Sequence, residues 1–175
     1  MARWGRWTSV VFGIMVSLVS PVWAQYRGQM AVGLGGTVTA PTQLDTSVGF
    51  GLIGDVTYFL SHRWSAGLGM GLFRTGGGRS TLRESFIGFK VGLHFDLGRW
   101  HPFFQTGLYL YEVRARTAPR RAWRQDTDLG VHFGVGVEYF LRPTMGVRWT
   151  LEGHDVFTTI DAAFIQGVMS LRLYF

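Results

Sequence analysis

The 175-residue chain has no cysteine, which excludes disulfide staples, thiolate metal sites, a cysteine nucleophile and a lipid-modified N-terminal cysteine. Charge is also scarce. Asp, Glu, Lys and Arg make up 16% of the residues, against about 25% in an ordinary soluble domain. Lys90 is the only lysine, so the formal charge of +6 rests almost wholly on arginine. Past residue 24, no apolar run approaches the roughly 20 residues that a membrane-crossing helix needs. Hydrophobic residues nevertheless account for 47% of the chain, and they must be buried some other way.

The first 24 residues have the pattern of a secretory signal. Arg3 and Arg6 give a positive start, residues 8–20 an apolar middle, and Val22-Trp23-Ala24 a small-x-small cleavage site. The apolar middle is too short for a membrane anchor. Export with cleavage after Ala24 leaves a single domain, residues 25–175, which nothing in its composition divides.

That domain is a succession of period-two segments separated by turn residues. The closing one, residues 164–175, puts Ile165, Met169, Leu171, Leu173 and Phe175 on one face. Gln166, Ser170 and Arg172 lie on the other, with Val168 and Tyr174 beside them. Residues 29–39 alternate Met30, Val32 and Leu34 with smaller or polar residues. Residues 48–60 set Val48, Phe50, Leu52, Val56 and Tyr58 against Asp55 and Thr57. From Trp64 to Leu72, apolar residues oppose Ser65, Gly67, Gly69 and Gly71. Residues 84–97 set Ile87, Phe89, Val91, Leu93, Phe95 and Leu97 against Lys90, Gly92, His94 and Asp96. Residues 102–113 are ambiguous, because Tyr109 and Tyr111 oppose Leu108 and Leu110, and both facings stay open. In residues 128–141, Leu129, Val131, Phe133, Val135, Val137 and Tyr139 oppose Asp128, Gly130, His132, Gly134, Gly136 and Glu138. Val147, Trp149 and Leu151 then oppose Arg148, Thr150, Glu152 and His154, and residues 157–163 lead into the closing segment, for a count of eight strands.

Connections between these segments alternate long and short, and aromatics gather at the short ends: Tyr58, Phe59 and Trp64; Trp100, Phe103 and Phe104; Tyr139 and Phe140; Tyr174 and Phe175. Short periplasmic turns, long outer loops and an interfacial aromatic girdle are features of a barrel in lipid. The expected fold is therefore all-β, an eight-stranded antiparallel up-and-down transmembrane β-barrel with both termini in the periplasm.

The signal, the Tyr58-Phe59-Leu60 and Tyr139-Phe140-Leu141 strand ends and the closing Leu171-Arg172-Leu173-Tyr174-Phe175 resemble the small outer-membrane barrels of the OmpA/OmpX type. The resemblance covers residues 25–175 and implies the cell outer membrane of a Gram-negative bacterium. It also implies delivery by periplasmic chaperones and an assembly signal, read by the outer-membrane assembly machinery, at Leu171, Leu173 and Phe175. Ser170 departs from the glycine preferred there.

Several groups of residues could carry chemistry. Parity places Asp55, Lys90, His94, Asp96, Glu138, Arg148, Glu152 and Arg172 in the lumen. There they can form an ion-pair network that plugs the barrel, since charges facing acyl chains are costly. A narrow solute channel gated by Arg148–Glu138 or Arg172–Glu152 contacts is the alternative. The glycines at 67, 69 and 71 and at 130, 134 and 136 recur within strands, so they are no phosphate loop. His62, His94, His101, His132 and His154 show no helical or ribbon metal spacing, so neither a metal nor a cofactor is expected. With no serine near His132 or His154, a lipid A-modifying hydrolase is the less favoured alternative, and no enzymatic activity is expected.

Arg114, Arg116, Arg120, Arg121 and Arg124 crowd one outer connection, and Arg74, Arg79 and Arg83 another. At the outer surface they would meet lipopolysaccharide phosphates, which arginine binds bidentately. The expected function is structural or surface-interacting: envelope integrity, lipopolysaccharide contact and adhesion. The expected partners are outer-membrane lipid, lipopolysaccharide and the biogenesis factors. Export argues against nucleic acid, and the chain is expected to be a monomer.

Overall fold

A computed structural model describes residues 27–42, 48–77, 80–117, 124–157 and 162–175. The expected signal segment lies outside them. Eight strands follow in chain order: β1 (Met30–Pro41), β2 (Gly49–Phe59), β3 (Trp64–Gly77), β4 (Ser80–His94), β5 (Trp100–Thr117), β6 (Arg124–Arg142), β7 (Met145–Val156) and β8 (Ala162–Tyr174). Each pairs antiparallel with its sequence neighbours. β1 pairs β8 from Ala31↔Tyr174 to Pro41↔Phe164, which closes the barrel. Beyond that ladder, Phe175 N donates to Met30 O at 2.9 Å, tying the C-terminal residue to the start of β1.

Side-chain facing follows the period of two. Leu34, Phe50, Leu68, Leu72, Ile87, Phe89, Leu108, Phe133, Leu151 and Met169 stand exposed on the outer surface. Lys90, Glu138, Arg148, Glu152 and Arg172 are buried inside. This is a soluble protein's pattern inverted, and it suits an outer face that meets hydrocarbon. The clusters of aromatics divide across the wall. Tyr58, Trp64, Trp100 and Phe175 point out, and Trp100 packs against Tyr139 with 4.7 Å between ring centroids. Phe59, Phe103, Phe140 and Tyr174 point in and floor the lumen, so only part of the expected girdle is interfacial. The reason is geometric, since consecutive residues of a strand face opposite sides.

The open facing of β5 is settled with Tyr109 and Tyr111 inward and Leu108 and Leu110 outward. The tyrosines belong to an apolar cluster with Phe73, Leu82, Phe86, Val113, Val156 and Phe164 toward the outer end of the lumen. Tyr109 lies across a seat of glycines on its own strand and its neighbours. A Cβ on Gly88 would come 2.6 Å from its Cγ, and one on Gly107 2.9 Å from its Cε2. Glycine in this wall is room for a ring laid flat against it.

The hairpin between β5 and β6 runs further than expected. β5 continues to Thr117 and β6 begins at Arg124, so Arg114, Arg116 and Arg124 stand on strands instead of in a loop. β3 and β4 likewise extend to Gly77 and from Ser80, taking in Arg74 and Arg83. Ladder hydrogen bonds do not need an apolar face, and pairs such as Thr81↔Arg116 carry the sheet on past the apolar band. β5 and β6, at 18 and 19 residues, far exceed the 9–11 or so that a tilted membrane strand needs. The wall is therefore taller along β3–β6 than at β1, β2, β7 and β8.

The barrel should show heat-modifiable migration after refolding in detergent, with unboiled and boiled bands apart. Gly88→Leu should drive Tyr109 from its seat, lower the midpoint of that transition and cost on the order of 1–3 kcal/mol or more. An unchanged midpoint would show that the seat carries no packing load.

Candidate functional site

The inward parity of β2, β4, β6, β7 and β8 brings five charged side chains to one level of the lumen. Asp55 Oδ2 accepts from Arg172 Nη2 at 2.8 Å and from Thr57 Oγ1 at 2.8 Å, and Lys90 Nζ lies 3.3 Å away. Glu138 Oε2 lies 3.5 Å from both Arg148 Nε and Arg172 Nη1. Its other oxygen accepts from the Tyr174 hydroxyl. The Arg148 guanidinium sits 3.8 Å above the centre of the Phe103 ring, a cation–π contact that covers its other side. Arg172 is fully buried and joins the two carboxylates. Three bases thus face two acids here, and Glu152, one level further out, supplies the third negative charge.

Of the residues expected in this network, Asp55, Lys90, Glu138, Arg148 and Arg172 come together as ion pairs. Glu152 does not meet Arg172. Its oxygens accept from Gln105 Nε2 at 2.8 Å and Gln166 Nε2 at 3.0 Å, and the imidazoles of His132 and His154 flank it. The Arg172–Glu152 contact is replaced because Arg172 is one level closer to the periplasm and is taken up by Asp55 and Glu138. Asp96 also falls outside the network. It accepts from Gly98 N at 3.0 Å in the β4–β5 turn and lies 3.6 Å from His101 Nε2. Gly98 has φ +77°, the left-handed conformation that this turn requires.

His94 joins a serine that the sequence reading passed over, with Ser65 Oγ 2.8 Å from its Nε2. The ring is packed against Phe59 and Phe103, with centroids 5.0 and 5.7 Å away. Among the described residues the imidazole's recorded side-chain hydrogen bond is to Ser65, and no carboxylate is bonded to it that would orient it as a general base. The pair reads as a satisfied polar contact in the lumen floor.

A second assembly lies on the outer face near the top of the apolar band. Cross-strand pairing aligns Arg74 with Arg83 and Arg83 with Arg114, so three exposed guanidinium groups stand side by side on β3, β4 and β5. The level beneath them carries Ser85, Glu112 and Thr127, and the next carries Met70, Ile87, Leu110 and Leu129. Arg114 is held by Glu112, with Nε 2.8 Å from Oε1, and Gln125 Nε2 donates to the same oxygen at 2.9 Å. Arg116 and Arg124 are exposed further out, while Arg79, Arg120 and Arg121 lie outside the described residues. Leu171, Leu173 and Phe175 face outward on the last strand and beyond it.

A closed antiparallel barrel, apolar outside and filled with buried ion pairs, is the architecture of a small integral outer-membrane protein. The chain belongs to the outer membrane protein beta-barrel domain family, which it matches over residues 10–172. No curated protein matches it significantly. Among solved structures, it is similar to the Ail protein of Yersinia pestis, with 10% identity and a TM-score of 0.63 over 85% of this chain and 99% of that one. It is similar to the N-terminal β-barrel domain of Pseudomonas aeruginosa OprF at 14% identity and a TM-score of 0.62, over 85% and 100%. Neisserial surface protein A gives 14% identity and a TM-score of 0.67 over 84% and 96%. At such identities the likeness is one of fold. These findings place the chain in the outer membrane.

Removing one partner of a buried ion pair typically costs about 3–5 kcal/mol, because the other charge is left behind. Glu138→Ala should therefore lower the urea midpoint of unfolding in detergent by a clearly measurable margin. Adding Arg148→Ala should restore part of the loss. Unchanged unfolding of the single variant would rule out a structural ion-pair network.

Proposed function

We propose that this barrel acts at the cell surface by holding lipopolysaccharide, with its lumen serving as a structural plug. The observation that carries the reading is the row Arg74–Arg83–Arg114. Like charges directly opposite on a sheet are destabilising, and these three stand on adjacent strands at one level, with Glu112 held against Arg114. An anion with several oxygens could bridge the row, and guanidinium groups bind phosphate bidentately. The apolar face below, through Met70, Ile87, Leu110 and Leu129, suits the acyl chains of the same molecule. Phosphates above and chains below is the form of a lipid A headgroup seated against the wall. Envelope integrity and adhesion follow as consequences of such anchoring.

On this reading no catalysis is required, and the buried side chains across the lumen favour a plug over a solute channel. The chain reaches its place through a signal cleaved after Ala24, passage past periplasmic chaperones, and the assembly machinery. That machinery would read the outward Leu171, Leu173 and Phe175 on the closing strand, and the product would be a monomer.

Protein purified from outer membranes in mild detergent should retain lipopolysaccharide in native mass spectra. The triple variant Arg74→Ser, Arg83→Ser, Arg114→Ser should retain at least about tenfold less, the equivalent of losing a single charge-assisted hydrogen bond, while keeping its heat-modifiable band. Equal retention by the two proteins would overturn the reading. In planar bilayers the wild-type barrel should give no steady conductance, and discrete ohmic openings would favour the channel instead. Deleting Phe175 should reduce the amount of folded protein in outer-membrane fractions, and an undiminished yield would remove the assembly role of that residue.

A further inference from the structure

His132, Glu152 and His154 form a cluster that neither the ion-pair plug nor the outer arginine row uses. Glu152 and His154 are two apart on β7 and so point the same way, into the lumen. His132 on β6 is the direct cross-strand partner of His154. The ligand-capable atoms of the three lie within 4.8 Å of one another, and all three residues are buried. Glu152 Oε2 is 3.4 Å from His154 Nε2 and 3.8 Å from His132 Nε2. Ligands of a tetrahedral zinc ion at 2.0–2.2 Å are spaced by roughly 3.3–3.5 Å. The two carboxylate–imidazole distances therefore need only a few tenths of an ångström to reach coordination spacing, while the two imidazole nitrogens, within 4.8 Å of each other, would have to close by up to about 1.5 Å.

We propose that this cluster is a binding site for a divalent transition cation of the zinc type, held by Nε2 of both histidines and a carboxylate oxygen of Glu152. The surroundings supply what such a site needs beyond its ligands. The Tyr111 hydroxyl lies 2.6 Å from His154 Nδ1, which fixes the ring with Nε2 turned to the carboxylate. Gln105 donates to Glu152 Oε1, while Oε2 faces the two imidazoles and accepts from Gln166 Nε2 at 3.0 Å. Gln166 is anchored in turn, its Oε1 accepting from Thr37 Oγ1 at 3.1 Å. His132 Nδ1 is buried with no hydrogen-bond partner, so nothing but the inward-facing Nε2 of that ring is engaged. Two imidazole nitrogens and a carboxylate oxygen thus turn on one point, each within reach of a glutamine amide: Gln105 Nε2 lies 3.2 Å from His132 Nε2, and Gln166 Nε2 lies 2.7 Å from His154 Nε2. A cation would displace these two amides, and a two-histidine, one-carboxylate set is a zinc-type donor set.

Rings cover the site on its outer side. Phe164 stacks on His154 at 4.4 Å, Phe86 lies 5.5 Å from it, and Tyr109 packs against His132 at 5.1 Å. A cation is then best taken up while the barrel forms and held once it has closed.

The test is refolding of the untagged protein into detergent with Zn²⁺ or Co²⁺ present, followed by chelation, gel filtration and metal analysis. One equivalent per chain should survive chelation, and the Co²⁺ form should show the intense visible bands of tetrahedral coordination. Glu152→Gln and His132→Gln should each lose the bound equivalent, while His62→Ala, at an exposed position, should keep it. Wild-type protein that retains no metal, or variants that retain as much as wild type, would overturn the proposal. If the variants fail to fold, the Co²⁺ spectrum of the wild type still decides, since weak octahedral bands or none would equally sink it.

Discussion

In hydrocarbon there is no water to satisfy a backbone N–H or C=O, and each one left open costs several kcal/mol. The pairing of β1 with β8 removes the last open edge, and the rest of the molecule follows from it. With the ladder closed, the wall needs apolar side chains only on its outer face, which frees the inner face for charge. Asp55, Glu138 and Glu152 then face Lys90, Arg148 and Arg172 across a lumen too narrow to leave them solvated. The chain's low charge content is thus compatible with a strongly ionic interior, because most of the remaining wall is neutral.

The lumen is built in levels, each with its own chemistry. Phe59, Phe103, Phe140 and Tyr174 floor it on the periplasmic side, and the ion pairs lie above them. Next come Gln105, His132, Glu152, His154 and Gln166, and an aromatic cap around Phe86, Tyr109 and Tyr111 closes the outer end. Glycines in the wall let those rings lie flat, so side-chain volume is spent toward the axis. Such a filled interior separates the barrel's surface chemistry from its core.

The strand count, the closed topology and the facing of seven strands were legible because lipid imposes a strict alternation, and Asp55, Lys90, Glu138 and Arg172 could only turn inward. Facing on β5 was not legible. Leu108, Tyr109, Leu110 and Tyr111 are all apolar by simple hydropathy, and the deciding contacts, His154 for one ring and the glycine seat for the other, lie on different strands. Hairpin ends were misplaced for a related reason. Beyond the membrane a ladder continues through threonine and arginine with no apolar signal to mark it. Period two already put His132 and His154 on neighbouring strands with Glu152 on the same face, but their direct opposition depends on the β6–β7 register, which no local spacing encodes. Reading Glu152-x-His154 as a strand pair with an inward histidine opposite would have found it. The split of the terminal aromatics across the wall was visible in principle, since Tyr58 and Phe59 cannot face the same way.

Arg172 lies on β8, the last strand in chain order, and its two carboxylate partners lie on β2 and β6. Without β8 the sheet would hold Asp55 and Glu138 short of one shared cation, and β8 brings in the residue that spans both. Edge pairing and charge neutralisation complete together. A barrel closed with β8 slipped by one residue would turn Arg172 toward lipid, and one slipped by two would carry it away from both carboxylates.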